Sequence, residues 1–443
     1  MTEKINLTRR GFLKQSIRTA AATWSAPLIL TLPLRGNQAP SNKITFGCIG
    51  MGRMGMGNLK DLLRFDDIQV VAVCDVDAWR LKNAQTEVEK HYREQQKTAT
   101  FKGCDTYRDF REIIARPDID AVMIVTPDHW HSIPAIMAAQ AGKDIFIEKP
   151  LTLTIPEGRI LSNTVRQFHR ILQVGSQQRS DERFRLAAEL VRNGRIGRLQ
   201  TVKVGFGKDP FTGVHSPSPV PEELDYDFWL GLAPEVPYIE QRVHPPQSYD
   251  RPGWLRTSDY CCGMITGWGS HHLDSAHWGM DTEYTGPVEI YGTAEYSKEG
   301  TWDVHGAFQI EYTYANGVKL ICTDNEKNKQ GVVFEGTDGW VYVRRGFIDA
   351  NPKSLLNEVI GPNEIQLYRS DDHKRNFLDG IRTRTEPIAP VEIGHRSASA
   401  CILGYIAMRL NRKLKWDPDR EQFTNDEEAN RLLSRPMRSP WRI

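Results

Sequence analysis

Ile44-Thr45-Phe46-Gly47-Cys48-Ile49-Gly50-Met51-Gly52-Arg53-Met54-Gly55 decides how this chain folds. A mostly apolar run, read as a buried parallel strand, leads directly into three glycines spaced G-x-G-x-x-G. Residues 58–63 continue as a helix, and a second apolar run, 70–74, ends in Asp75, twenty positions beyond Gly55. Each part has a physical task. Gly50 permits a tight turn, Gly52 lets the backbone approach a pyrophosphate, and Gly55 lets helix pack closely on strand. The phosphates sit against unpaired N–H groups and the positive dipole end of the helix. Arg53 and Met54 belong to the same expected cofactor-binding loop. Asp75 accepts hydrogen bonds from the adenosine ribose, which favours NAD over NADP; Arg80 is a weaker signal in the other direction. The glycine triplet alone is a weak signal, but strand, glycines, helix, strand and terminal acid together predict a dinucleotide site.

At 443 residues the chain has room for two domains, each with its own core. It is 40% hydrophobic and 26% charged, as soluble globular proteins are. A net charge of +1 supplies no global field to attract nucleic acid or a membrane surface, so neither is expected as a partner. Basic pairs such as Arg344-Arg345 read as solvated surface.

The first forty residues differ. Thr8-Arg9-Arg10-Gly11-Phe12-Leu13-Lys14 is a twin-arginine pattern, and an apolar stretch, 19–34, follows it. That stretch is too short, and too broken by Pro27 and Pro33, to span a membrane. Residues 1–40 resemble a Tat export signal, which implies a periplasmic or otherwise exported protein. Seven scattered cysteines contain no C-x-x-C pair, so neither a disulfide framework nor a thiolate zinc site is expected.

Beyond Asp75 the alternation of strand and helix continues to about residue 178. Residues 121–125 form a strand ending at Thr126-Pro127, and 132–141 show helical periodicity with Gly142 as C-cap. Residues 145–147 form the next strand, followed by Glu148-Lys149-Pro150; 156–168 read as a helix and 171–174 as a short strand. This pattern predicts a doubly wound parallel sheet, a Rossmann domain over 41–178. Residues 179–443 then read as a second α+β domain, its sheet mixed and mainly antiparallel. Its strands fall at 199–206, 288–296, 308–314, 318–323, 332–336 and 340–344, with a hairpin turn at Ala315-Asn316-Gly317 and a helix at 393–410. An insertion at 208–259, rich in Pro, Tyr and Trp, reads as a lid or rim loop.

In open α/β sheets ligands bind at the carboxyl ends of the strands. Those ends deliver Thr126-Pro127-Asp128-His129-Trp130-His131 and Glu148-Lys149-Pro150. Farther on, Gly267-Trp268-Gly269-Ser270-His271-His272-Leu273-Asp274 places a histidine pair at the start of a helix. On these motifs, together with Val174-Gly175-Ser176-Gln177-Gln178-Arg179, the chain from Lys43 onward resembles the Gfo/Idh/MocA oxidoreductases. The resemblance implies an NAD(P)-dependent enzyme acting on the secondary hydroxyl of a sugar, glycoside or cyclitol. It implies that Lys149 lies beside the nicotinamide and hydrogen-bonds the reacting hydroxyl, and that His271 accepts the proton. It also implies a homo-oligomer assembled through the antiparallel sheet. The family's D-x-G-x-H element maps to 267–271, so its aspartate position is Gly267 here. Asp274, one helical turn beyond His271, is the nearest substitute, and His272 is a second candidate base.

The chemistry needs such groups. Oxidising an alcohol requires a base for the hydroxyl proton, and histidine titrates near working pH. An ammonium group stabilises the developing alkoxide. His131 is read as shaping the cofactor wall beside Thr126 and Pro127. Gln178, Arg179 and Trp268 are expected substrate contacts. The bland alternatives are a solvated Lys149 and a core His271. A rival reading, a metal hydrolase using the H-x-H and H-H pairs, explains neither the glycine loop nor Lys149. A second rival keeps the cofactor: an exported protein meets little free NAD, so the nucleotide would be tightly held and recycled in place. Through a transient keto-sugar the net reaction would then be a redox-neutral glycosidase, lyase or epimerase reaction.

Overall fold

The structure is a computed structural model that describes residues 43–94 and 101–443; the expected export signal at 1–40 lies outside the described residues. Strands β1 (Ile44–Ile49), β2 (Ile68–Cys74), β3 (Asp105–Tyr107), β4 (Ala121–Ile124), β5 (Asp144–Ile147) and β6 (Leu172–Val174) form one sheet in the order β3-β2-β1-β4-β5-β6. All its neighbours pair in parallel. The order reverses between β1 and β4, and this switch point opens the crevice in which such sheets bind ligands. β4 and β5 are buried along their whole length because helices cover both faces, which is why β4, and β5 after Asp144, read as apolar runs.

Local chemistry sets the helix boundaries. Thr154 and Glu157 form a reciprocal capping box at the start of Ile155–Gln167, with a proline in its first turn. Asp181 caps Glu182–Arg192 by accepting from the Arg183 N–H, and Asp372 does the same for His373–Thr383. These last two helices are absent from the sequence reading. Both are amphipathic, with Phe184, Ala187, Ala188 and Val191 in the first and Phe377 and Leu378 in the second on the buried face, so period and caps both announce them.

The second sheet comprises β7 (Leu199–Phe206), β8 (Glu289–Ala294), β9 (Phe308–Thr313), β10 (Lys319–Asp324), β11 (Gly331–Gly336), β12 (Trp340–Arg344), β13 (Phe347–Asn351), β14 (Leu414–Asp417) and β15 (Gln422–Phe423). Their order is β13-β12-β11-β7-β10-β9-β8-β14-β15. β7 and β10 run parallel and the other neighbours antiparallel, so the sheet is mixed and mainly antiparallel. One face carries Glu182–Arg192, Gly269–Met280 and the almost wholly buried helix Val391–Leu410, which also packs on Ile155–Gln167 of the first layer.

Two later segments return to the first sheet. Phe377 of helix His373–Thr383 packs against Phe46 and Phe146, at 6.3 and 5.9 Å between ring centroids. The insertion 208–259 bridges Leu224 to Asp77, and the Ala78 N–H donates to the Glu223 carbonyl at 2.9 Å. It carries its own apolar cluster, including Leu224, Trp229, Tyr238 and Val243. Among the described residues no helix is long and apolar enough to cross a membrane.

Candidate active site

A cavity of about 450 Å³ opens at the carboxyl ends of β1, β2, β4 and β5, with the insertion and the start of helix Gly269–Met280 as its far wall. Its floor is the glycine loop. Gly50 has φ +85°, and a Cβ there would lie 2.7 Å from the Val125 carbonyl. A Cβ on Gly55 would meet the Gly50 carbonyl oxygen at 2.0 Å, so helix and strand touch only because both positions lack side chains. Gly52 has nothing within 4 Å of such an atom. It presents bare backbone to the cavity at the N-cap of helix Arg53–Leu63, whose first N–H groups have no side-chain cap. Arg53 and Met54 line the same rim. This cradle fits a dinucleotide pyrophosphate.

Asp75 lines the cavity at the end of β2. Its carboxylate accepts from the Met51 N–H at 2.6 Å and the Asp77 N–H at 2.9 Å, so it also holds the glycine loop in shape. Burial raises its pKa, and those two N–H bonds and Arg80 oppose the rise. Arg80 is buried, paired with Asp77, and donates to the Ser248 carbonyl at 2.8 Å and the Pro245 carbonyl at 3.2 Å. Its guanidinium is committed to protein groups, which leaves Asp75 to set the ribose preference toward NAD.

The ends of β4 and β5 supply Thr126, Pro127, Asp128, Glu148 and Lys149. Glu148 is fixed by Asn58 Nδ2 at 3.2 Å and Gln177 Nε2 at 3.1 Å, and a Cβ on Gly175 would lie 2.8 Å from its carboxylate. Lys149 follows it into the cavity. Among the described residues no carboxylate pairs with its ammonium. His131 joins the two strand ends, with Nδ1 at 2.6 Å from the Pro150 carbonyl and Nε2 at 3.0 Å from the Thr126 carbonyl.

The opposite wall carries Trp268 and His271. The His271 Nδ1 has no hydrogen-bond partner, and burial, followed by the Lys149 and Arg345 charges, holds its pKa well below the usual range. It is therefore a neutral imidazole, able to accept a proton, facing a cation. Gly50, Gly52, Asp75, Lys149 and His271 thus share one cavity.

Four expected site residues stand elsewhere. His272 does not line the cavity; it packs on Phe206 and Trp268, neither ring nitrogen has a partner, and burial lowers its pKa to about 3. Successive helical residues lie on different faces, so only one of the histidine pair can look into the site. Asp274 does not reach His271. Arg179 takes its two oxygens at 2.7 and 2.9 Å, and Ser397 Oγ donates to it at 2.8 Å. Arg179 is accordingly no substrate contact: it is 2% exposed and also pairs with Glu283. Gln178 is buried beside it, accepting from Ser275 Oγ at 2.9 Å.

Two cavity residues carry more than the sequence reading assigned. Asp128 is buried, its Oδ2 has no partner, and burial raises its pKa against the pull of His131 and Lys149. Arg345, read as solvated surface, lies over the Trp268 ring at 4.8 Å and lines the cavity. No sequence signal separates it from Arg344; the β12–β13 turn does. His129 sits behind the wall, Nε2 at 3.1 Å from the Trp229 carbonyl. Among the described residues no three His, Cys, Asp or Glu side chains group as metal ligands.

Residues 44–176 match the family model described as "Oxidoreductase family, NAD-binding Rossmann fold", and 203–443 match "Oxidoreductase family, C-terminal alpha/beta domain". A myo-inositol 2-dehydrogenase of Thermotoga maritima is 30% identical over 182 residues, 41% of this chain and 47% of that protein. A glycosyl hydrolase family 109 protein 2 of Shewanella sp. (strain ANA-3) is 35% identical over 163 residues, 34% of this chain and 35% of that protein. The alignments thus span about half, or less, of these curated relatives. The WlbA dehydrogenase of Bordetella pertussis, solved with NADH and UDP-GlcNAcA, superimposes with a TM-score of 0.60 at 17% identity, covering 85% of this chain and 99% of that one. At that identity the likeness establishes the shared fold.

Proposed function

This chain belongs to the Gfo/Idh/MocA oxidoreductase family, with an NAD-binding Rossmann domain, and from that premise we propose that it oxidises and reduces a secondary hydroxyl carbon of a sugar, glycoside or cyclitol. The carrying observation is that a neutral, unpartnered His271 and an unpaired Lys149 line the same cavity as the glycine cradle. The bound nicotinamide supplies the hydride acceptor. His271 takes the hydroxyl proton, for which its place on the cavity wall and its neutral state suit it. Lys149, whose ammonium no carboxylate pairs with among the described residues, steadies the oxygen as negative charge develops. Trp268 lines the cavity beside His271 and offers apolar surface to a sugar ring. The related inositol dehydrogenase supports this substrate class.

The test is native mass spectrometry of protein purified without added nucleotide, followed by mixing with a panel of sugars, glycosides and inositols. Expected are bound NAD and its reduction by at least one panel member. Protein that takes up no nicotinamide nucleotide overturns the reading.

A second reading draws on the insertion. Residues 245 and 248 hold Arg80, and the Tyr249 ring lies against Trp79 at 5.0 Å, so the ribose end of the cavity is covered. A covered cofactor stays with the protein, as an exported enzyme would need, and a hydride returned to the same substrate gives no net oxidation. The glycosyl hydrolase relative supports this reading. Release of aglycone from an aryl glycoside with no accumulation of reduced cofactor would favour it; net reduction would favour the first.

A further inference from the structure

Several cations of the cavity stand without an ion pair among the described residues. Among its lining residues Lys149, Arg251 and Arg345 have no ion pair among the described residues. Of the acids that share the cavity, Asp128 at the end of β4 keeps one oxygen without a partner, within the pull of Lys149, and the others have donors of their own. Asp75 takes two backbone N–H groups, Glu148 takes Asn58 and Gln177, and Asp250 accepts from Ser248 Oγ at 2.9 Å. Arg53 also lacks an ion pair, but it begins the glycine-loop helix and faces the phosphate cradle.

Arg345 and Arg251 lie on the other wall. Arg345 stacks on Trp268 at 4.8 Å. Arg251 reaches Met264 Sδ at 3.4 Å, one helical turn before Trp268. Between them Gly267 lines the cavity with nothing within 4 Å of where a Cβ would be. An unfilled space, an aromatic platform and the unpaired Arg345 guanidinium thus meet beside His271, with Arg251 at Met264, earlier on the same segment.

Resting on the proposed function, the geometry points to a substrate whose sugar ring carries a carboxylate, seated at Gly267 against Arg345 and within reach of Arg251. A guanidinium offers a planar fork of N–H donors that matches a carboxylate in two parallel bonds. Stacking on Trp268 fixes the plane of that fork while the same indole edge remains beside the ring-binding space. An anion placed there also offsets the Arg345 charge that, with burial and Lys149, depresses His271. The substrate would thereby bring the acid that Gly267 does not supply.

The NAD-loaded full-length protein should be titrated calorimetrically with methyl glycosides of glucuronic, galacturonic and mannuronic acid, each against its neutral parent and its sugar phosphate. At least one uronoside should bind about tenfold or more tightly than both counterparts, as a charge-assisted pair requires. Arg345→Gln, a change at an exposed position without an ion pair, should abolish that preference. Gly267→Asp, which places a carboxylate in the open space, should do so as well. Equal affinities, no binding of any uronoside, preference for the phosphate, or a preference retained in both variants each overturns the inference. Cofactor reduction is read separately on the same mixtures. A uronoside that binds selectively without hydride transfer would sink the proposed function and leave this assignment standing.

Discussion

Arg179 grips Asp274 through two nitrogens, at 2.7 and 2.9 Å, in the interior beneath the candidate site. The pair ties the segment after β6 to helix Gly269–Met280, so it sets where that helix presents His271. Removing Asp274 strips the buried Arg179 of two hydrogen bonds and leaves Glu283 as its carboxylate partner. Asp274→Ala should therefore lower stability by about 1–3 kcal/mol, measured as a fall in the urea midpoint. A variant that keeps its midpoint yet loses turnover would return Asp274 to the chemistry.

His271 and His272 are adjacent in the chain and set on different faces by the helix. His271→Gln should reduce turnover by about 10²- to 10⁴-fold, the usual contribution of a positioned base, with cofactor affinity little changed. His272→Phe, a substitution into an apolar niche beside Phe206 and Trp268, should leave turnover within about threefold. Single-turnover reduction of bound NAD measures both. Equal losses would mean that the pair acts jointly.

Lys149→Met keeps the length of the side chain and removes the charge. Turnover should fall by about 10²- to 10³-fold, as when one electrostatic donor to an oxyanion is removed. With no carboxylate paired to the ammonium, thermal stability should stay level, within about 0.5 kcal/mol. Stopped-flow rates alongside a melting curve separate the two effects.

The Rossmann half was legible because each signal there is local. The glycine spacing, the apolar runs and Asp75 are contiguous features with fixed physical meanings, and β1, β2, β4 and β5 lie where those features put them. Lys149 could be located for the same reason, since a strand's carboxyl end is visible in sequence. What stayed hidden depends on distant pairings. Arg179 looked like a substrate contact because nothing near it in sequence shows that Asp274 and Glu283 close around it. Arg345 is exposed, as the sequence reading has it; what stayed hidden is the ring beneath it, because Trp268 is far back along the chain. Asp128 stood in plain view in a motif, but its burial could not be read from composition.

Several histidines besides His271 are buried as neutral rings. Burial lowers His272 and His129 from 6.5 to about 3, and His277, His305 and His373 from 6.5 to about 4. A folded-state pKa below the unfolded value means that the unfolded chain binds more protons as pH falls. Stability is therefore full above pH 6.5 and is lost progressively from there down to about pH 3–4. Each ring contributes on the order of a few kcal/mol at the acid end of that window. Urea unfolding should show a lower midpoint at about pH 5 than at pH 7. An unchanged midpoint would mean that these rings are charged in the folded protein.

Gly50 and Gly52 are two positions apart and should respond to substitution in opposite ways. At Gly50 φ is +85° and a Cβ would press on the Val125 carbonyl at 2.7 Å, so Gly50→Ala strains the turn and should destabilise by about 1–3 kcal/mol. At Gly52 φ is −69° and a Cβ meets nothing within 4 Å, so Gly52→Val can fold without strain. That space is the approach by which a pyrophosphate reaches the helix N–H groups. Filling it should weaken NAD by about 100-fold while the melting temperature of nucleotide-free protein stays level. Nucleotide content after purification and calorimetric titration with NAD read the loss. A Gly52→Val protein that retains full NAD affinity would move the phosphates off this loop.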